Sequence, residues 1–494
     1  MNLAHKTIHS LKWSYLATGI KAFANIGFAA VMARLLGPEA FGLVAMANVV
    51  LRFGYYFAQM GVNSAVVQKP ELSFKEKRAA FTISSVLGLL VASIFFITAP
   101  LAAIVFKEYA IVPIVRVMSL NFLLTAFAMP SEGLLRRDMR FKAISQVEVL
   151  SYIVGYGAVG VFCALQGMGV WSLVIASITQ RLINAVAFSI LAKLCVLPVF
   201  KWKYYSALLG YGSRVSIISF LEFISSSADT FFIGRFLGSV SLGFYNRART
   251  LVELPLYHLS HSLSRVLFPA FSRKNAASGE FADSFLKVNY LLIIAILPLC
   301  LGMSAGAEEI VLTVLGSEWV PVITPVRILS IAMLFNFSSH IFGVAFEAGA
   351  KLNTKIVLQS SYSVVLTLAL WFVVPYGINA VLLVFLLCNC IRWLGYVFLS
   401  KQIFGEKAKI IFYQYFIATA PSILIMFGLV AISGAANHFV INSLFTLMVQ
   451  IAWGAIVMVL FIIYGPADIL RVEIKKVLMN LGLKETNQII RLFT

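Results

Sequence analysis

The feature that most constrains this sequence is its succession of apolar runs, which follow one another almost from end to end. A helix needs roughly 20 mostly apolar residues to cross a bilayer. The runs are continuous, whereas a membrane β-barrel would show alternating segments of about ten residues. We therefore predict an all-α polytopic membrane protein with about 14 transmembrane helices. The segments are 13–34, 39–66, 79–105, 110–131, 144–166, 170–193, 208–234, 239–269, 285–306, 326–346, 356–375, 378–400, 410–434 and 439–464.

Composition agrees with a bilayer as the surroundings of this chain. Hydrophobic residues make up 61% of the 494 residues and charged residues 12%. Soluble domains average about 45–50% apolar residues and about 25% charged residues. A water-soluble core could not hold this much apolar surface. The first apolar segment lacks a signal-peptide cleavage site, and we expect it to remain as the first span. The five cysteines are scattered and are expected to be packing residues.

The basic residues of the chain are distributed unevenly between its two sides. The formal net charge is +19, and about 26 of the 39 Lys and Arg lie in the N-terminus, the tail and every second loop. The other loops carry about three. This is the positive-inside pattern, which predicts that both termini are cytoplasmic. The basic excess therefore meets anionic lipid headgroups, and we expect no nucleic-acid partner.

A short motif occurs twice, as ARLLGPEAFG at 33–42 and as GRFLGSVSLG at 234–243, with an offset of 201 residues. Each copy is predicted to form the outer turn between two helices, with Gly closing the turn and Arg reaching the headgroups. An even number of spans separates the copies, so the repeats are parallel. We predict two six-helix lobes related by pseudo-two-fold symmetry, plus two C-terminal helices. The predicted boundaries are 1–204 for the N-lobe, 205–405 for the C-lobe, 406–464 for the last two helices and 465–494 for a cytoplasmic amphipathic tail.

Several charged residues fall inside the predicted spans, where each costs about 2.5–3.5 kcal/mol near the bilayer centre. Some lie near helix ends and are expected to extend to the headgroups: Arg116, Arg327, Arg214, Arg265, Arg392 and Glu148. Others lie deeper, and the 201-residue offset relates Lys21 to Glu222 and Arg52 to Glu253. These residues of opposite charge either form ion pairs between the lobes, or the cations bind an anionic substrate while the acids bind the coupling cations. The sequence leaves both interpretations open.

The excess of cations over acids within the spans favours an anionic substrate, and the planar guanidinium group suits phosphate. The predicted substrate-binding residues are Lys21, Arg52, Arg181, Arg247 and Arg249. The predicted ion-coupling residues are Glu222, Asp229 and Glu253. Cavity tyrosines such as Tyr152, Tyr156 and Tyr245 are candidates for sugar selectivity.

The motifs of common enzymes are absent from the sequence. It contains no G-x-x-x-x-G-K-[ST], H-E-x-x-H or G-x-S-x-G pattern. The outer loops are also too short for an external catalytic domain; the longest is predicted at 307–325. We expect a protein that is not an enzyme, without a metal site or cofactor.

Four stretches carry a resemblance to a known family: ARLLGPEAFGLVAMA (33–47), LLRRDMRFKAIS (134–145), GMGVWSLVIASI (167–178) and VLFPAFSR (266–273). The chain resembles the polysaccharide flippases of the Wzx type in the MOP superfamily, particularly the colanic-acid-exporter-like branch. The resemblance implies transfer of an undecaprenyl-diphosphate-linked oligosaccharide from the cytoplasmic to the periplasmic leaflet of the bacterial inner membrane. It also implies alternating access between two lobes, driven by an ion gradient, for exopolysaccharide, O-antigen or capsule synthesis.

The resemblance also bears on partners and alternatives. Polymerase and chain-length proteins are the expected protein partners, and the transporter is expected to be a monomer. Two other functions remain open: a multidrug cation antiporter of the same superfamily, which the cationic bias opposes, and a membrane polysaccharide polymerase or ligase, which would need a larger external loop. The sequence specifies neither the sugars nor the coupling ion.

Overall fold

The computed structural model describes residues 19–20, 24–59, 66, 73–193, 227–256, 279–349, 351–438, 442–466, 470–471 and 475. Every regular element within these ranges is helical, which confirms the predicted all-α class. Among the described residues, nine helical stretches are long and apolar enough to cross a membrane, by length and composition. The longest of them, Ile378–His438, combines two of the predicted spans. The count of 14 helices and the symmetry of two lobes stay predictions.

The chain divides into two units, Met1–Arg247 and Ala248–Thr494. Unit 1 contains most of the residues that the sequence assigned to a substrate site. Its described helices are α1 (Ala24–Leu35), α2 (Pro38–Gln59), α3 (Phe74–Phe106), α4 (Ile111–Met118), α5 (Leu120–Arg137), α6 (Phe141–Tyr152), α7 (Val161–Leu165) and α8 (Val170–Ala192). A π-helical segment, Ile153–Gly160, joins α6 to α7. Helix α9 (227–256) begins in unit 1 and ends in unit 2.

Unit 2 is also helical throughout its described residues. Its helices are α10 (Gly279–Ala305), α11 (Ala307–Val314), α12 (Ile323–Ala348), α13 (Leu352–Val373), α14 (Ile378–Leu399), α15 (Lys401–Phe404), α16 (Lys409–His438) and α17 (Ser443–Tyr464). Short 3₁₀ segments at Ser317–Val322, Val374–Tyr376 and Gly405–Ala408 join some of them. Six of these helices follow predicted apolar spans closely, because a continuous apolar run of about 20 residues leaves few alternatives in a bilayer.

Helix α3 begins five residues before the apolar run that predicts it. The Ser73 hydroxyl accepts from the backbone N–H of Glu76 at 3.3 Å, and the Glu76 carboxylate accepts from the backbone N–H of Ser73 at 2.8 Å. This capping box satisfies two N–H groups that the helix end would otherwise leave unpaired. It extends the helix into the charged sequence that precedes the membrane span.

The predicted outer loop at 307–325 is wrong, because much of this stretch is helical. Helix α11 and the 3₁₀ segment Ser317–Val322 lie within it. Trp319 is fully buried, and the Ser433 hydroxyl donates to the Glu309 carboxylate on α11. Apolar residues in this stretch therefore pack into unit 2 instead of forming an exposed loop.

Polar side chains join helices inside both units. In unit 1, the Asn121 amide on α5 donates to the Ser177 hydroxyl on α8 at 3.3 Å. In unit 2, the Asn289 amide on α10 donates to the Gln414 side-chain oxygen on α16 at 2.8 Å. Small residues also allow close approach, since a Cβ atom at Gly88 would lie 2.3 Å from the Cβ of Ala126. Both features are typical of helix packing in membranes, where the hydrophobic effect does not drive helices together.

Candidate functional site

The two copies of the repeated motif pack against each other within unit 1. A Cβ atom at Gly42 would lie 1.7 Å from the carbonyl oxygen of Ser239, and one at Gly243 would lie 1.9 Å from that of Pro38. Any side chain at either glycine would push the two backbones apart. Glycine is therefore required at both positions by the approach of one backbone to the other.

The contact between the copies is reciprocal. Gly42 and Gly243 are equivalent under the 201-residue offset, and so are Pro38 and Ser239. Gly42 of the first copy meets Ser239 of the second, and Gly243 of the second copy meets Pro38 of the first. A two-fold axis between the copies would produce this exchange. The pattern supports the predicted relation between the repeats at the place where they meet.

One of the two motif arginines is used differently from the prediction. Arg235 was expected to reach the lipid headgroups, but its Nη1 donates to the backbone carbonyl oxygen of Ile104 at 2.9 Å. Ile104 lies in the last turn of α3, where carbonyl groups lack partners within the helix. Arg235 therefore caps α3 and ties it to the second copy of the motif.

Arg247 lies one helical turn beyond the glycine contact. Its guanidinium lies 4.1 Å above the ring of Phe41, the residue before Gly42. Its Nη2 donates to the Asn246 side-chain oxygen at 3.0 Å, while its Nε is buried without a hydrogen-bond partner. A buried guanidinium over an aromatic ring gains about 2 kcal/mol from the cation–π interaction. The close approach of the glycines brings α9 near enough to α2 for this stacking.

The π-helical segment places two tyrosines beside the arginines. A Cβ atom at Gly155 would lie 2.9 Å from the carbonyl oxygen of Ala176 and from the Cβ of Gln180, so this segment lies directly on α8. The Tyr152 and Tyr156 rings stack with centroids 5.1 Å apart and an interplanar angle of 28°. π-Helical turns inside α-helices occur often at functional sites, because they alter the direction of the side chains.

Arg181 completes the cluster from α8. Its charge interacts with the hydroxyl groups of Tyr55 and Tyr156, and the charge of Arg247 interacts with those of Tyr152 and Tyr156. Tyr156 thus experiences both guanidinium charges. We term these five residues, Arg181, Arg247, Tyr55, Tyr152 and Tyr156, the arginine–tyrosine site.

Neighbouring polar atoms on the same helices have unused hydrogen-bonding capacity. Asn184 lies on α8 one turn after Arg181, and its side-chain oxygen is buried without a partner. The side-chain oxygen of Asn121 on α5 is also buried and unpaired. Most buried polar atoms in proteins have partners, so such a group of unpaired atoms indicates a place for water or a polar ligand.

Of the predicted site residues, Arg181 and Arg247 come together in the arginine–tyrosine site. Arg52 lies exposed on α2. The Arg249 Nε and the Glu253 carboxylate on α9 form an ion pair at 2.6 Å. Lys21 and Glu222 lie outside the described residues. The roles predicted for these residues in substrate binding and ion coupling stay predictions.

Asp229 is buried and held by hydrogen bonds. Its carboxylate accepts from the Tyr245 hydroxyl and from the backbone N–H of Thr230 at 2.7 Å. Tyr245 is only 1% exposed, which leaves no surface for a sugar. The interpretation of Tyr245 as a sugar-selecting residue is therefore wrong, because its hydroxyl donates a hydrogen bond to the carboxylate of Asp229.

Unit 2 contains an apolar groove of about 400 Å³. It lies among α10, α11, α16 and α17 and is lined mainly by aliphatic side chains and by Pro298, Gly302 and Gly454. Gln450 is the polar lining residue; its amide nitrogen donates to the carbonyl oxygen of Leu429 at 3.4 Å. Such a surface suits a hydrocarbon chain.

The apolar helices and their arrangement define a multi-pass membrane protein with the fold of the MOP superfamily transporters. The structure is similar to the lipid II flippase MurJ in its inward closed conformation, with a TM-score of 0.71 and 13% identity, covering 96% of this chain and all of that one. It is also similar to an inward-facing multidrug resistance MATE family transporter of the MOP superfamily, with a TM-score of 0.58 and 15% identity, covering 78% of this chain and 94% of that one.

The sequence identifies the family more closely. The chain belongs to the polysaccharide biosynthesis protein family, whose pattern matches residues 31–324. It is 23% identical to the lipopolysaccharide biosynthesis protein WzxC of Escherichia coli K12, over 72% of each chain. It is 20% identical to the teichuronic acid biosynthesis protein TuaB of Bacillus subtilis 168, over 82% of this chain and 84% of that one. The predicted assignment to a family of polysaccharide synthesis is confirmed by this match, and the structural similarities show the fold of the MOP superfamily transporters.

Proposed function

We propose that this protein is a flippase that moves an undecaprenyl-diphosphate-linked oligosaccharide from the cytoplasmic to the periplasmic leaflet of the bacterial inner membrane. The arginine–tyrosine site carries this proposal, because it gathers two cations inside unit 1. In the described part of the chain, no carboxylate forms an ion pair with Arg181 or Arg247. A cation without an acidic partner is costly within a membrane, and such residues usually mark the path of a substrate.

A diphosphate group matches this site in charge and geometry. Two guanidinium groups supply two positive charges, and each can bind phosphate oxygens through paired N–H donors. The buried, unpartnered Nε of Arg247 offers one such donor without breaking an existing hydrogen bond. The tyrosine hydroxyl groups add neutral donors near the same place.

The lipid and the sugar parts of the substrate need surfaces of their own. The apolar groove in unit 2 suits part of the isoprenoid chain, because its lining is almost entirely aliphatic. Tyr152 and Tyr156 present stacked rings that suit contact with sugar rings. The transported unit would then enter exopolysaccharide, O-antigen or capsule synthesis, in which polymerase and chain-length proteins are the next partners.

Transport proceeds in this proposal by alternating access between the two lobes predicted from the sequence, driven by an ion gradient. Glu222, Asp229 and Glu253 are the candidates for the coupling site. Glu253 is already paired with Arg249, so protonation or sodium binding at this carboxylate would release Arg249. This exchange would connect the ion gradient to a cation near the substrate path.

The proposal is tested by flipping in vesicles of purified protein. A fluorescent undecaprenyl-diphosphate oligosaccharide is placed in both leaflets, and an impermeant quencher reports how fast the label crosses. We expect protein-containing vesicles to move the label faster than protein-free vesicles, and faster still under a proton or sodium gradient.

Two results would contradict the proposal. Equal rates with and without protein would exclude flipping, and uptake of a cationic dye without movement of the glycolipid would favour the antiporter alternative. A flipping rate that does not respond to either gradient would refute ion coupling alone.

A further inference from the structure

Arg392 on α14 does not extend to the headgroups as expected from its position near the end of a span. Its guanidinium lies 4.1 Å above the ring of Tyr362 on α13. Its Nη2 donates to the Asn389 side-chain oxygen at 2.9 Å, and its Nη1 lies 3.5 Å from the side-chain oxygen of Gln359. The side chain is therefore directed into unit 2 and held by the facing helix.

The charge of Arg392 has no counterion within the described residues. The nearby carboxylate, Glu347, forms an ion pair with Lys355, so its charge is already matched. The Nε of Arg392 is buried and has no hydrogen-bond partner. A cation in this position requires an anion from outside the described chain or remains an unpaired charge inside the membrane.

The surrounding hydrogen bonds fix Arg392 in place. The Asn389 side-chain oxygen accepts from Arg392, from the Asn336 amide at 3.1 Å and from the Tyr362 hydroxyl at 3.4 Å. The Asn389 amide itself donates to the carbonyl oxygen of Phe385 at 2.8 Å. Asn389 is fully buried, so this network is rigid and orients the guanidinium before any ligand arrives.

The arrangement repeats that of Arg247 in unit 1. Each guanidinium lies 4.1 Å from an aromatic ring, each Nη2 donates to an asparagine oxygen, and each Nε is buried and unpaired. A related pattern is visible in the sequences of α8 and α14. The glycine before α8 is followed by Arg181 and Asn184, and the glycine before α14 is followed at the same spacings by Asn389 and Arg392.

We propose that Arg392, held in place by Asn389, forms with Gln359 a second oxyanion-binding site, which receives the carboxylate of an acidic sugar in the transported oligosaccharide. This inference rests on the proposed function. One guanidinium matches the single charge of a carboxylate, whereas the diphosphate matches the pair of arginines in unit 1. The neutral amide of Gln359 beside Arg392 suits a hydroxyl group of a sugar. The substrate class is therefore an acidic oligosaccharide.

The test is binding of sodium glucuronate to the full-length protein in nanodiscs, measured by saturation-transfer NMR, with glucose as the neutral probe. We expect glucuronate to bind at least about tenfold more tightly than glucose. Arg392→Gln should remove this preference, and Arg392→Lys should restore part of it. Arg116→Gln is the matched control, because Arg116 also stacks on a ring, that of Phe96, but at 5.4 Å and exposed.

Several outcomes would overturn the inference. Equal binding of glucuronate and glucose to the wild-type protein would do so, as would unchanged glucuronate binding in Arg392→Gln. Displacement of glucuronate by inorganic pyrophosphate would assign Arg392 to the diphosphate instead of the sugar. If Arg392→Gln does not fold, Gln359→Ala tests the same site, with an expected loss of about threefold in glucuronate affinity.

The flipping assay separates this inference from the proposed function. Flipping by wild-type protein that shows no preference for glucuronate would remove the sugar assignment and leave the flippase intact. Preference for glucuronate without flipping would leave the binding site intact and remove the transport role.

Discussion

At the scale of single residues, buried charges in this protein are of two kinds. Asp229 accepts hydrogen bonds from Tyr245 and Thr230 and lies among protein groups that satisfy its carboxylate. Arg247 has a ring on one face and a buried Nε with no partner. A satisfied charge costs little once its network is formed, and its loss affects stability. A charge with unused donors is better placed to bind a ligand.

Tyr245→Phe is expected to destabilise the protein without altering the arginine–tyrosine site. The substitution removes the hydroxyl donor to Asp229, and a buried acceptor left unpaired costs about 1–3 kcal/mol. Thermal unfolding of the purified protein should show a lower Tm. Tyr464→Phe is the control, because Tyr464 is 82% exposed. Equal Tm values for the two variants would show that the Tyr245 hydroxyl does not support Asp229.

At the scale of elements, glycines decide where helices approach each other. Gly42 and Gly243 bring α2 and α9 together, and Gly155 brings the π-helical segment onto α8. Both approaches lead to the arginine–tyrosine site, the first by placing Arg247 over Phe41 and the second by placing Tyr156 near Arg181. The site depends on backbone contacts as much as on the charged side chains themselves.

Gly42→Ala and Gly243→Ala are each expected to lower Tm and flipping. The added methyl would overlap a carbonyl oxygen of the other motif copy, so the backbones must separate and Arg247 would move away from Phe41. Because the contact is reciprocal, we expect the two variants to lose similar amounts of activity in the vesicle assay. Gly37→Ala is the control, since no atom lies within 4 Å of the added group. Full activity in both variants would show that this contact is dispensable.

Gly155→Ala is expected to weaken binding of undecaprenyl diphosphate by about tenfold, because the segment must leave α8 and shift the tyrosines. Gly157→Ala lies two residues away in the same segment, and its added methyl would meet only a side-chain atom of Ile153, at 3.9 Å. Affinity is measured by titrating the lipid into protein in detergent. Similar affinities for the two variants would mean that the π-helical segment does not position the site.

At the scale of the whole molecule, the sequence predicts the spans better than the site. Continuous apolar runs predicted the described spans within a few residues, because the bilayer enforces helices of that length. The stretch 307–325 was mistaken for a loop, since its short apolar segments fall below the length of a span. The repeated motif was predicted to form an outer turn in each copy, whereas the second copy, 234–243, lies within helix α9. The contact between the two copies depends on tertiary packing that the sequence does not show.

The arginines show the limit of sequence reasoning at the site. Arg181 was selected by its depth in a span and Arg247 as a cation inside one, but their common neighbour Tyr156 depends on a π-helical segment that regular spacing does not predict. Arg392 was assigned to the headgroups because it lies near a span end, whereas Tyr362 on the facing helix holds it inside. The sequence did contain one signal for Arg392. It lies as far after the glycine that precedes α14 as Asn184 lies after the glycine that precedes α8.

The central claim is that the two arginines of unit 1 carry the diphosphate of a lipid-linked oligosaccharide across the membrane. The most direct measurement compares flipping in vesicles by wild-type protein, the Arg181→Gln, Arg247→Gln double variant and the Arg116→Gln control. At equal reconstitution and similar Tm, we predict a loss of at least about hundredfold in the double variant, equivalent to about 2.7 kcal/mol, and wild-type rates in the control. Wild-type flipping by the double variant would contradict the account.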